Sequence, residues 1–157
     1  MSNQLNFFEH RSSTEYETPQ DFFDRLNAEF HFTLDAAASP ANAKCPRYFT
    51  KEDDGLRQHW GGTVWLNPPY DKNIGKWIEK AYLSTCDKGA MVVCLIQARS
   101  TETAWWHKYV MKAYEIRFIE NRLHFKLDGK SNRANFGSLL LIFKSGDHIP
   151  FCSSIHA

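Results

Sequence analysis

The chain has 157 residues, 43% hydrophobic and 24% charged, with a formal net charge of +1. This length suits one domain with its own core, and the near-neutral balance leaves no global basic field of the sort that marks nucleic-acid binders. Four scattered cysteines without a C-x-x-C pair argue against a cysteine zinc cluster and a disulfide framework.

Residues 1–16 are polar with isolated aromatics and read as an extended arm. They carry no basic-then-apolar signal, and no apolar run reaches membrane-spanning length, so the expected location is the cytoplasm. A single domain is expected over 17–157. Its first helix is predicted from Thr18 as N-cap, Pro19 at the first helical position and Asp21 in the first turn. Phe22, Phe23, Leu26 and Phe30 follow at helical spacing. Residues 31–35 alternate as a strand and run into Ala36-Ala37-Ala38, Ser39 and Pro40. After an irregular stretch come the acidic turn Glu52-Asp53-Asp54-Gly55 and Gly61-Gly62, then a strand over 63–66 that stops at Asn67-Pro68-Pro69-Tyr70. Ile74, Trp77, Ile78 and Ala81 mark an amphipathic helix. Residues 90–96 form a continuous apolar run, the signature of a strand buried on both faces. A helix over 101–112 is predicted next, then strands at 115–119 and 122–126 around Glu120-Asn121. A polar loop at 128–135 leads to a last strand at 138–144.

Strands alternating with helices and then gathering near the C-terminus predict an α/β fold. The expected arrangement is Rossmann-like, a mostly parallel sheet with an antiparallel strand at one edge. The strand ends near Asp35, Asn67 and Gln97 are expected along one rim, where open α/β sheets bind ligands.

The chemistry concentrates at Asn67-Pro68-Pro69-Tyr70. Two prolines donate no N–H and end the strand abruptly, which fixes an amide and outward carbonyls beside an aromatic ring. Asn67 Oδ1 and the Pro68 carbonyl can each accept one N–H of an amino group while Tyr70 covers a planar ring. The plain alternative is a turn, since Asn-Pro is a common turn starter. Asp35 can accept from a cationic or amine-bearing ligand, or cap a helix. Asp53 or Asp54 can accept from a ribose hydroxyl or an adenine amino group, or form a solvated turn. Arg99 can hold a phosphate or cover apolar neighbours. Trp105 and Trp106 offer a wedge or base platform, with at least one expected in the core. The last third supplies a local basic face from Lys108, Lys112, Arg117, Arg122, Lys126, Lys130 and Arg133.

Taken in order, these segments resemble the DNA N-6-adenine methyltransferases of phages and prophages, a compact Dam-type family. The resemblance rests on Thr18-Pro19-Gln20, the 32–39 segment through Asp35-Ala36-Ala37, and Asp53-Asp54-Gly55-Leu56. It continues through Trp60, Asn67-Pro68-Pro69-Tyr70, and the 98–105 segment from Ala98-Arg99 to Trp105. It implies a seven-stranded Rossmann-like fold and S-adenosylmethionine as cofactor, with no metal. By position, Thr18, Pro19, Asp35, Ala36, Ala37, Asn67 and one of Asp53 and Asp54 would contact that cofactor. Asn67, Pro68, Pro69 and Tyr70 would form the catalytic motif, and Tyr70, Arg99, Trp105 and Arg122 would meet the substrate. The implied substrate is double-stranded DNA, with no membrane and no obligate protein partner, in a phage-infected or lysogenic bacterial host. Larger relatives carry a glycine-rich turn where this chain has alanines. Without a large target-recognition domain, segments such as 99–107 and 120–135 would have to read the target. Methyl transfer to RNA or to a protein glutamine, and a catalytically silent DNA-binding relative, are the alternatives.

Overall fold

A computed structural model describes residues 16–127, 130–146 and 151–156. Helix α1 (Gln20–Phe30) buries Phe22, Phe23 and Leu26 and ends at His31. That residue adopts a left-handed φ of 55°, and its N–H donates to the Asn27 carbonyl. The remaining helices are α2 (Ile74–Lys88) and α3 (Ala104–Lys108). The strands are β1 (Leu34–Asp35), β2 (Thr63–Leu66), β3 (Met91–Gln97), β4 (Glu115–Glu120), β5 (His124–Leu127), β6 (Lys130–Arg133), β7 (Ser138–Phe143) and β8 (Phe151–His156).

Six strands form the main sheet in the order β1-β2-β3-β7-β4-β8. β1, β2 and β3 pair in parallel, as do β4 and β8, while β7 runs antiparallel to both β3 and β4. Alternation along each strand assigns side chains to two faces. Val64, Leu66, Val92, Cys94, Ile96, Leu139, Leu141 and Phe143 join Ile78 and Ala81 of α2 and Trp106 of α3 in one core. Trp65, Val93, Leu95, Leu140 and Ile142 turn the other way, towards Phe22, Phe23 and Leu26 of α1 and Phe125 of β5. The molecule is thus three-layered. Phe22, Phe23, Trp60 and Trp65 are all at most 2% exposed, and truncating any of them to alanine is expected to cost about 3–5 kcal/mol.

Several expectations need correction. The main sheet has six strands among the described residues rather than seven, with β5 and β6 pairing separately as a two-stranded ribbon. The antiparallel strand lies inside the sheet, between β3 and β4, and not at an edge. The expected polar loop at 128–135 instead supplies β6, which pairs with β5. The helix over 101–112 is shorter: α3 stops at Lys108 and the chain tightens into a 3-10 turn at Val110–Lys112. The first strand is only two residues long. β8 was not anticipated. Most of the N-terminal arm lies outside the described residues; its last residue, Tyr16, is described.

Candidate active site

The parallel run β1-β2-β3 places its three C-terminal ends on one rim, which bears Asp35, Asn67 and Gln97. A cavity of about 650 Å³ opens at the β1–β2 part of that rim, within the size range of small-molecule sites. Thr18, Asp35, Ala37, Asp54, Asn67, Pro68 and Pro69 line it, together with Lys44, Gly55 and Trp77.

Asp35 is 2% exposed. It caps no helix: Oδ1 accepts the Ala37 N–H at 3.3 Å and Oδ2 the Lys44 N–H at 3.0 Å. Burial pushes its carboxyl up to about 6, against those two hydrogen bonds and the nearby Lys44 charge. The group is therefore a costly anion that gains from a cationic partner. The Lys44 ammonium is engaged elsewhere, donating to Gln20 Oε1 at 2.9 Å and lying 3.6 Å from Glu17.

The alanine segment bends away past the end of β1 and is tied to its neighbours by backbone hydrogen bonds. The Ala36 N–H donates to the Trp65 carbonyl and the Ala38 N–H to the Phe49 carbonyl. Ala36 is buried beneath the cavity wall, and Ala37 and Ala38 line it. The close approach is made instead by Gly55, where an added Cβ would lie 2.4 Å from the Ala36 carbonyl oxygen. The buried Trp60 indole donates to the Gly55 carbonyl at 2.8 Å and holds that turn in place. The two candidate aspartates separate clearly. Asp53 turns back on Thr50, accepting its N–H and hydroxyl at 2.8 Å each, and these bonds hold its carboxyl below the ordinary range. Asp54, with a left-handed φ of 53°, lines the cavity.

Thr18 does not cap α1. Pro19 occupies the N-cap position, with no side-chain cap there, and the Thr18 hydroxyl meets Asn67 Nδ2 at 3.1 Å. Asn67 Nδ2 also donates to the Tyr16 carbonyl. Asn67 Oδ1 is buried without any hydrogen-bond partner, a state that ordinarily costs about 1–3 kcal/mol. The end of β2 therefore carries an acceptor with nothing to accept from.

Tyr70 stands beside the cavity rather than in its lining. Its hydroxyl donates to the Leu95 carbonyl at 3.2 Å, and its ring stacks on Tyr16 at a centroid distance of 5.3 Å. Phe136 and Phe125 complete this aromatic cluster around Tyr16. The exposed Arg99 guanidinium lies over Phe136 at 5.7 Å, which brings Arg99 near Tyr70 through one intervening ring. Trp105 is half-buried against α2, and a Cβ at Gly75 would come within 2.9 Å of its ring. This makes it a packing residue first. Arg122 is exposed just before the β5–β6 ribbon, whose His124, Lys126, Lys130 and Arg133 are also exposed. Neither Trp105, Arg99 nor Arg122 reaches the cavity lining.

Sequence reasoning missed Tyr16, Lys44, Gly55 as a close-approach residue, and Trp77. Only the adjacency of Gly55 to the acidic pair carried a signal. No group of three or more His, Cys, Asp or Glu side chains suited to a metal occurs among the described residues. Nor is any helix there long and apolar enough to cross a membrane.

The family model described as DNA N-6-adenine-methyltransferase (Dam) matches residues 9–153. The DNA N-6-adenine-methyltransferase of Escherichia phage T1 is 32% identical over 130 residues, covering 81% of this chain and 53% of the phage protein. The chain thus spans about half the length of that relative. The protein YfdM of Escherichia coli (strain K12), which carries a provisional methyltransferase name, is 36% identical over 64 residues, or 36% of this chain and 70% of YfdM.

Proposed function

The chain belongs to the DNA N-6-adenine-methyltransferase (Dam) family, and on that premise we propose that it methylates the exocyclic N6 of adenine in DNA, with S-adenosylmethionine as donor. The observation that carries this reading is the buried, unpartnered Oδ1 of Asn67, a residue that lines the cavity. An orphaned acceptor at a strand end is what an amine-bearing substrate completes.

The donor set suits the cofactor. The buried Asp35 carboxylate matches the ammonium of its methionine end, and Asp54 matches the hydroxyls or amino group of its adenosine. Lys44 and Trp77 bound the cavity, and Gly55 allows its floor to lie against the Ala36 backbone. When bound, S-adenosylmethionine supplies an electrophilic methyl group.

The protein's own work is placement. The adenine amino nitrogen is a weak nucleophile because its lone pair is shared with the ring. Asn67 Oδ1 and the Pro68 carbonyl accept its two N–H groups, which draws the nitrogen towards tetrahedral geometry. They also stabilise the positive charge that grows on it. Tyr70 stacks on the purine, which must leave the duplex to reach it, at a cost of a few kcal/mol. The Tyr16 ring covers Tyr70 in this structure, so base entry requires that ring to turn aside. Arg99, Arg122 and the basic β5–β6 ribbon are the groups available for the phosphate backbone. A two-stranded ribbon is also narrow enough for a major groove.

Labelled methyl transfer, with DNA, RNA and protein offered separately, tests this reading. Label in DNA adenine that is lost with Asn67→Ala supports it, and label only in RNA or protein overturns it.

A further inference from the structure

The catalytic motif does not orient its own asparagine. The carbonyl of Tyr16 can only accept, so the Asn67 atom facing it must be Nδ2. The second Nδ2 hydrogen goes to the Thr18 hydroxyl at 3.1 Å. With both amide hydrogens taken on one side, Oδ1 is forced to the other, where it lies buried and unpartnered. Thr18 is itself 2% exposed, and Pro19 after it restricts it to an extended backbone. The segment is tied down further by Glu17, whose N–H donates to the Lys126 carbonyl at 3.0 Å and whose carbonyl accepts the Lys126 N–H at 3.1 Å. Residues 16–18 are therefore a strap pinned to β5, and Asn67 hangs from it.

We propose that Thr18, together with the Tyr16 carbonyl, is a positioning residue that locks the Asn67 amide with Oδ1 towards the acceptor amine. This rests on the adenine-methylation reading above. An unlocked amide can rotate half a turn and present Nδ2, so that donor meets donor and the substrate amine loses its acceptor. Thr18 thus acts on the methyl acceptor through Asn67, although it stands in the cavity wall where a cofactor contact is expected.

The test compares full-length wild type with Thr18→Val, which keeps the shape and removes the acceptor, Thr18→Ala as a second form, and Thr18→Ser, which keeps the hydroxyl. At saturating S-adenosylmethionine and DNA, the single-turnover rate should fall about 10- to 100-fold in T18V, with cofactor Kd shifting less than about threefold. T18S should recover most of the lost rate. Adding T18V to Asn67→Ala should cause no further loss. Independently of activity, the Asn67 side-chain amide protons, assigned in 15N spectra by their disappearance in N67A, should be protected from exchange in wild type and T18S. They should lose that protection in T18V and T18A.

The proposal is overturned if T18V keeps both rate and protection. It is equally overturned if T18V weakens cofactor binding while the saturated rate is unchanged. If wild type methylates no DNA yet shows Thr18-dependent protection, the lock stands and the DNA-adenine reading falls.

Discussion

The two halves of the site are built differently. On the β1 side, Asp35, the alanine segment and Gly55 are held by backbone hydrogen bonds, and the polar group they enclose is buried at an energetic cost. On the Asn67 side, apart from the strapped amide, the surroundings are rings packed on rings, with exposed cations just beyond. The first half has a fixed shape suited to one small ligand. The second can rearrange, because turning the Tyr16 ring leaves the backbone bonds of its strap in place. A rigid pocket beside an adaptable one is what a reaction between a constant donor and a base drawn from a long polymer asks for.

The sharpest way to break that contrast is Asn67→Ala. It removes the acceptor on the adaptable side and should lower the methyl-transfer rate by about 10²–10³-fold, measured in single-turnover assays, while the fold survives.

The next largest effect concerns Asp35, whose carboxyl burial raises from 3.8 to about 6. Without ligand, the folded chain holds a proton there that the unfolded chain releases between those values. The resulting stabilisation, about 3 kcal/mol, is fully present below pH 3.8 and lost as pH rises through about 6. Cofactor affinity should run the opposite way, weakening up to about tenfold per pH unit below 6 as the anion is neutralised. Thermal unfolding with and without S-adenosylmethionine, across pH 4–8, reads both trends, and Asp35→Asn should flatten both.

Gly55→Ala tests rigidity directly. Its Cβ would meet a backbone oxygen at 2.4 Å, so unfolding experiments should show a loss of about 1–3 kcal/mol and cofactor binding should weaken. Smallest is Arg122→Gln on the exposed side. There DNA affinity should drop less than about tenfold, and the slope of log K against log salt should fall by about one. An equal effect on cofactor binding would erase the distinction between the halves.

The same contrast governs how much could be read in advance. β2, β3 and α2 were legible because their burial is written in residue types: the apolar runs at 63–66 and 90–96, and Ile78 and Ala81 at helical spacing. Asn67 and Asp35 were legible because strand ends on a parallel sheet share a rim. The interior place of β7 was not anticipated, although Leu139 to Phe143 is as continuously apolar as β3. Order along the chain does not specify pairing. β8 alternates exposed and half-buried positions over 152–156, with two serines at its centre, a pattern that an edge strand shares with a loop. Thr18 carries the residue type of a helix cap, and only the tertiary position of Asn67 diverts its hydroxyl. Tyr16 acts on Asn67 through a backbone carbonyl, a group every residue has, so no side-chain pattern could announce it.

The central, inverted position of β7 also governs how the chain assembles. All six of its residues are buried, between β3 and β4. Its pairing with β3 joins segments more than forty residues apart, a non-local closure that slows folding. Until residues 138–143 arrive, β3 presents a long apolar edge with unmet backbone donors and acceptors. Shortened forms of the chain ending before 138 should therefore associate through that edge rather than remain monomeric. β7 is thus the strand that renders everything before it safe from sticking.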